Sequence, residues 1–205
     1  MEKKQKINQT MSFNYDFSKL TKLIIKNKGH LIESKIQPKG RLNEYVQYSR
    51  NNFYILNLKK IISNLFLTFQ FLNKYLDKEN LTNPSEKVLL VCDSYSEPVL
   101  EEIKSSLSTY NNILIMSGVL HKGFLNKFKN IKLIISLDSV NKYELLREAK
   151  SFNIPVVGLC GTTLKTKADA ISYPIYTNLN NKKCVFLYVL IFNQFFKQKQ
   201  NAISK

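Results

Sequence analysis

Tryptophan is absent from this 205-residue chain, and cysteine, histidine and arginine are scarce. The three cysteines (Cys92, Cys160, Cys184) lie far apart with no C-x-x-C pair, and His30 and His121 stand alone. A structural zinc needs four convergent N or S ligands, so no metal centre is expected. Unpaired, scattered cysteines point instead to buried free thiols in a reducing compartment. Long apolar runs are missing too. The longest, Cys184 to Phe196, is broken by Asn193 and Gln194. It falls short of the ~20 residues that cross a bilayer, so it reads as a buried helix, and no membrane partner is expected. The opening Met1 to Phe13 is charged without an apolar stretch, and it is not Arg-rich. No secretory signal or transit peptide is therefore expected.

Acid is the shortage with the largest consequence. Fifteen Asp and Glu face 31 Lys and Arg, a net charge of +16. Such an excess repels itself in a compact fold until a polyanion neutralises it, and nucleic acid is the commonest such partner. The excess is carried by Lys, since Arg41, Arg50 and Arg147 are the only arginines. Abundant Lys, Asn, Ile and Phe, all with AT-rich codons, point to a strongly AT-biased genome.

Apolar residues make up 44% of the chain, enough for a sizeable core. A Lys-rich tail is expected over residues 1–12, one α/β domain over 13–199 and a short basic tail over 200–205. Asp16 or Ser18 can cap a helix running to about Asn27, with Gly29 at its C-terminal cap. Leu31 to Asn52 reads as a Gly/Pro-punctuated basic loop, Phe53 to Leu58 as a first strand and Lys59 to Leu76 as a long helix. The apolar runs at Lys87–Cys92, Ile113–Met116, Lys132–Leu137, Pro155–Leu159 and Ile171–Tyr176 predict further strands, and helices are expected near 98–110, 140–152 and 180–198. The strands are apolar throughout rather than alternating. That pattern predicts a parallel sheet covered on both faces, a doubly wound three-layer α/β domain.

Such sheets bind ligands at the carboxyl ends of their strands, and the chemistry expected there is missing. None of the glycines makes G-x-G-x-x-G after a strand. Gly118 and Gly123 have the spacing of a phosphate loop, but Phe124 stands where that loop needs Lys. Asp93, Ser136, Asp138 and Ser139 read as helix caps, and neither histidine has the partners of a nucleophile–base pair. No catalytic residue, cofactor or small-molecule substrate is expected. The cations are better placed. Lys35, Lys39, Arg41 and Arg50 interleave with Tyr45 and Tyr48; Lys122, Lys127 and Lys129 form a second group, and Lys165 and Lys167 a third. Lysine neutralises phosphate, and tyrosine can stack on an unpaired base.

From about Gly29 to Asn193 the chain resembles small-ribosomal-subunit protein two, the universal S-two family. Gly29-His30-Leu31 matches that family's Gly-His-hydrophobic signature. Ile55-Leu56-Asn57-Leu58 resembles its I-I-D-L, with Asn57 for Asp. Gly123, Leu125 and Phe128 are similar to part of its W-G-G-x-L-T-N-F. Asp138, Glu144, Glu148 and Ala149 precede Ile154-Pro155-Val156, and Tyr173-Pro174-Ile175 with Asn178 resembles Y-P-I-P-x-N. Gly161-Thr162-Thr163 replaces D-T-N, and the helical-hairpin insertion of bacterial members, which would follow Phe128, is absent. The resemblance implies a flavodoxin-like sheet of about five strands with flanking helices, no catalysis, and docking on small-subunit rRNA beside neighbouring ribosomal proteins. The residues expected to meet RNA are His30, Lys35, Lys39, Arg41, Tyr48, Arg50, Lys122, Lys127, Lys129, Lys165 and Lys167. Divergence and shortening suit a mitochondrial member made inside the organelle, with an AT-rich bacterium or a plastid as the alternative source. Two other readings compete. Ser136 to Ser139 followed by Ile154 to Gly158 also resembles a phosphosugar-binding isomerase domain, although Asp138 would repel the phosphate. A lysine-tethered membrane scaffold would need a basic amphipathic helix with a wide apolar face, and the helices look core-facing instead.

Overall fold

In the computed structural model, the residues described are 17–33, 41–77, 87–92, 101, 103, 105, 113–117, 120–128, 130–137, 143–161 and 170–203. The expectations for Lys35, Lys39, Lys129, Lys165, Lys167, Asp93, Asp138 and Ser139, and for both extreme ends, lie outside them.

The chain begins with α1 (Phe17–Lys26), β1 (Leu31–Glu33), α2 (Arg41–Tyr45), β2 (Val46–Arg50), β3 (Phe53–Leu56) and α3 (Leu58–Asp77). The strands β4 (Lys87–Cys92), β5 (Ile113–Ser117), β6 (Ile131–Ser136), β7 (Val156–Cys160) and β8 (Tyr173–Tyr176) follow. Between them lie α4 (Phe124–Lys127) and α5 (Tyr143–Ser151), and the last element is α6 (Lys182–Ile203). Strands β4 to β8 form a parallel sheet in the order β5-β4-β6-β7-β8. Numbered within that sheet, the order is 2-1-3-4-5, the flavodoxin-like winding. Five consecutive residues of β4, Val88 to Cys92, are buried, as are all five of β7. An all-apolar strand has no solvent side to offer, so it is stable only between two layers of helix.

The first part differs from the sequence expectation. β3 does not join the parallel sheet; it is the centre of a separate antiparallel sheet, β1-β3-β2. Leu31 to Asn52, expected as a loop, supplies both of its outer strands and α2. The polar strand β2 (VQYSR) has no apolar alternation, which is why its sequence reads as loop; it is an edge strand paired only to β3. Asn51, at φ 51, begins the two-residue turn between them, a conformation Asn tolerates better than most residues. A one-turn helix, α4, also stands inside the expected loop from Gly118. At the far end α6 runs on to Ile203, so residues 200–203 prolong the helix.

Helix ends explain several sequence signatures. The N–H of Gly29 donates to the Ile24 carbonyl and that of Lys28 to Ile25, both at 2.9 Å, with Lys28 at φ 55. This is a Schellman closure whose left-handed residue is Lys28. Gly29 serves another need, taken up below. Asn57 caps α3, its side-chain oxygen accepting the Lys60 N–H at 3.1 Å. Asn caps as well as Asp, so the I-I-D-L pattern survives its substitution. Asn153 (φ 54) ends α5 in a second Schellman closure, with Ile154 N–H on the Ala149 carbonyl, and the chain turns straight into β7.

Helices α1, α3 and α6 pack together, and α3 covers β8. Phe69 of α3 stacks on Phe195 of α6 at 4.8 Å and meets Phe192 edge-on at 5.2 Å. Each buried ring contributes about 2–3 kcal/mol of transfer free energy. Tyr173 stacks on Phe71 at 4.2 Å, and the Asn64 amide donates to the Pro174 carbonyl. Proline, lacking an N–H, is tolerated here because β8 is the outermost strand.

Candidate nucleic-acid interface

The described cations expected to meet RNA fall into two groups at opposite ends of the parallel sheet. The first lies at the carboxyl end of β8. There the turn Asn27–His30 is bound to the segment after β8. Asn178 N–H and the Thr177 hydroxyl both donate to the Gly29 carbonyl at 3.2 Å, and the Asn181 amide donates to the Asn27 carbonyl at 2.9 Å. A Cβ on Gly29 would come within 2.8 Å of Cys184 Sγ. Glycine is required for space, because the turn and the first turn of α6 touch. The His30 carbonyl accepts the Leu56 N–H at 2.9 Å, joining the antiparallel sheet to the same turn, and Tyr45 lies on Tyr176 with ring centres 4.5 Å apart.

His30 is half-buried there, and its Nδ1 is buried without a hydrogen-bond partner. Burial lowers its pKa below the ordinary value, an effect the nearby Ile24 backbone only partly opposes. The ring is thus neutral at physiological pH and offers no charge to a phosphate. Arg41, Tyr48 and Arg50 are exposed on α2 and β2. Tyr48 pairs with Ile55 and Arg50 with Phe53, so these four share one face of the antiparallel sheet. Ile32 and Leu56 are buried on the other face. Tyr48 is 54% and Phe53 43% exposed, a flat aromatic patch bearing a guanidinium. The Lys60 ammonium donates to the Glu44 carbonyl at 2.8 Å, while Lys59 beside it is exposed.

The second group stands at the amino ends of β6 and β7. Lys122 is exposed in the turn before α4, and Lys127 is exposed on α4. Glu148 of α5 fixes this turn, its carboxylate accepting the N–H groups of Gly123 and, at 3.1 Å, Leu125. A carboxylate at a helix start satisfies amides that lack helical partners. The Asn130 carbonyl accepts the Lys87 N–H at 2.8 Å, locking the segment to the foot of β4. Lys132 is the one exposed side chain of β6. Beside it opens a cavity of about 550 Å³ bordered by Phe128 and Phe152. Phe128 was marked in the sequence only as part of a family-like motif, and Phe152 and Lys132 were not marked as RNA contacts. An apolar side chain at a helix end, and a lysine inside a strand otherwise buried, were the signals available.

Catalytic chemistry is not assembled among the described residues. No group of three His, Cys, Asp or Glu is placed to hold a metal, and no helix is long and apolar enough to cross a membrane. Ser136, at the carboxyl end of β6, is fully buried and presents no hydroxyl to a phosphosugar. Cys160 is buried, and burial pushes its thiol pKa far up, away from nucleophilic use.

Fold and surface together define a doubly wound α/β protein with exposed cations at two ends of its parallel sheet. Residues 121–198 match the family model for Ribosomal protein S2. Over 166 residues the chain is 24% identical to the small ribosomal subunit protein uS2 of Thermoplasma acidophilum, covering 80% of this chain and 79% of that one. Over these spans the chain is similar to the ribosomal protein S2 family. The matched region holds α4, the three strands β6 to β8 and nearly all of α6. Its signatures have physical duties: Glu148 ties down the α4 turn, Ile154-Pro155 leaves the α5 cap, and Tyr173-Pro174 meets α3.

Proposed function

We propose that this protein is a structural component of a small ribosomal subunit that binds small-subunit rRNA through cations at both ends of its sheet, in company with neighbouring ribosomal proteins. The observation that carries this reading is the charge of +16 on a chain similar to a ribosomal family. Its exposed cations Arg41, Arg50, Lys122 and Lys127 stand at two sites where no described residues form a reactive group. Lys35 and Lys39 precede Arg41 in sequence and Lys129 follows Lys127, while Lys165 and Lys167 form a third group. The His30 carbonyl joins the turn of the first site to the antiparallel sheet, and its ring contributes shape rather than charge. The AT-biased composition, with Lys, Asn, Ile and Phe abundant, supports a mitochondrial ribosome as the home of this chain. The uS2 relative is archaeal, so the organellar reading rests on composition alone.

Sedimentation of the native protein from lysate tests the reading. The protein should travel with the small subunit at moderate salt and come off only at high salt. About 6 phosphate contacts lose roughly a thousandfold in affinity over a fourfold rise in salt. A protein that sediments freely at physiological salt would overturn the assignment. Copurification with mitochondrial rather than cytosolic or bacterial rRNA decides the compartment.

A further inference from the structure

We propose that the cavity at the amino ends of β6 and β7 receives one unpaired nucleotide of the bound RNA, its base lying on the rings of Phe128 and Phe152 and its phosphate meeting the nearby lysines. The inference rests on the RNA-binding reading above and gives it a definite contact.

Three observations carry it. The first is shape: about 550 Å³ lies between the α4 turn, the end of α5 and the end of α3, where Tyr75 stands. Pockets for small organic ligands fall in this size range. The second is ring exposure. Phe128 is 38% and Phe152 49% exposed, although a buried core lies directly beneath. Phe128 rests on Phe124, with ring centres 4.7 Å apart, which leaves it another face. Phe152 is at the C-cap of α5, where the apolar contact of the closure is available to Ala149 and Ile154, so the fold does not use its ring there. The third is polarity. Asn126 and Asn153 bring amide groups to the cavity, able to donate to and accept from a base edge, and Lys132 brings a cation. Among the described residues no Asp or Glu lines it, and the Glu148 carboxylate is engaged with the amides of Gly123 and Leu125.

Rings, amides and a cation in one concavity suit a base with its phosphate better than an acidic peptide, which would use the lysine and leave the rings idle. Duplex RNA cannot enter, because its bases are already stacked on one another.

The test uses the full chain and a short single-stranded RNA carrying one aminopurine, with a duplex RNA and an acidic peptide as comparison ligands. Aminopurine fluorescence should be quenched on binding. Phe152→Ala should weaken single-strand binding by about tenfold or more, the worth of one base–ring stack, and abolish the quench. Duplex binding should be unchanged, and Phe152→Tyr should keep both affinity and quench. Lys122→Glu/Lys127→Glu should weaken both RNAs. If Phe152→Ala leaves single-strand affinity and quench intact while the lysine reversals weaken binding, the nucleotide pocket is overturned and the electrostatic reading survives. If no variant alters binding to any RNA, both fall. Phe152-dependent capture of the acidic peptide, with no effect on RNA, would overturn the pocket in favour of a protein partner. Phe152 is half-exposed, and unchanged circular dichroism would establish that Phe152→Ala folds.

Discussion

Adding a single methyl group at Gly29 would strain the joint between the two parts of the molecule. The new Cβ would stand 2.8 Å from Cys184 Sγ, 3.1 Å from Ile24 Cγ2 and 3.2 Å from Thr177 Oγ1. Carbon contacts are optimal near 3.5–4.0 Å, so all three neighbours must retreat. They belong to α1, to α6 and to the segment after β8; backbone hydrogen bonds tie α1 and that segment to the turn, and the Asn181 side-chain amide ties the start of α6 to it. Overpacking of this kind costs about 1–3 kcal/mol. Gly29 does not have a positive φ, so alanine adds no backbone strain, and stiffening of the unfolded chain returns about 0.4–1 kcal/mol. A net loss of about 1–2 kcal/mol is expected. With a urea m-value of about 2 kcal/mol/M, the midpoint should fall by roughly 0.5–1 M. The clash is mainly with sulfur, so Cys184→Ala should relieve it. Cys184→Ala alone gives up packing and the hydrogen bond with the Thr177 hydroxyl, and destabilises by about 1 kcal/mol. The double variant should then be no worse than Cys184→Ala. A coupling of about 1 kcal/mol or more between the two changes is the expected reading of the cycle. Urea titrations followed by far-ultraviolet circular dichroism measure all four proteins. Simple additivity, or a Gly29→Ala midpoint equal to that of the parent, would refute the steric account.

Glu148→Gln should keep one acceptor of the two and cost about 1 kcal/mol, with hydrogen exchange faster at the Gly123 and Leu125 amides than at the neighbouring amides of α4; uniform exchange would count against the tie. Arg41→Glu/Arg50→Glu and Lys122→Glu/Lys127→Glu act at opposite ends of the sheet, so their effects on RNA binding should add in free energy. Each pair should lower the salt slope by about 0.7–0.9 for every phosphate it no longer neutralises; a salt titration that leaves the slope unchanged would remove those residues from the interface. The buried Cys92, Cys160 and Cys184 should ignore a thiol reagent at neutral pH until urea unfolds the chain, when all three react; labelling of the native protein would contradict their burial. His30 binds its proton more weakly folded than unfolded, so the stability it contributes is complete above its ordinary pKa of 6.5 and falls as pH drops through that value. His30→Asn should flatten the decline in urea midpoint between about pH 7.5 and about pH 5.5; an unaltered slope would exclude the histidine as its source.

The parallel sheet was legible because its strands carry their own evidence. Runs such as Lys87–Cys92 and Ile131–Ser136 are apolar at every inward position, and only a doubly covered sheet accepts that. The antiparallel sheet was not legible. The burial of β1 and β3 depends on a partner strand, β2, whose residues Gln47 to Arg50 are all exposed and follow no period. Gly29 was rightly marked as special, but for a cap that Lys28 provides; a contact with Cys184, distant in sequence, cannot be read from local pattern. The cations were found as residue types in clusters. Their division between the two ends of the sheet, and the company of Phe128, Phe152 and Lys132, follow only from topology.

The backbone's left-handed positions are mostly held by residues other than glycine. Lys28, Asn51 and Asn153 hold positive φ with full side chains. Among the described glycines, by contrast, only Gly123 has positive φ, while Gly29, Gly158 and Gly161 stand where a Cβ would crowd a neighbour. Three of the described glycines thus answer to volume and Gly123 to torsion, while three left-handed positions are held without glycine. Each such side chain leaves up to about 1–2 kcal/mol of torsional strain, against a net stability that for natural domains is about 5–15 kcal/mol. A self-repelling polycation with that handicap gains most from a partner that binds only its folded form. Off its partner, the chain should be a short-lived substrate for proteases; on it, a durable part.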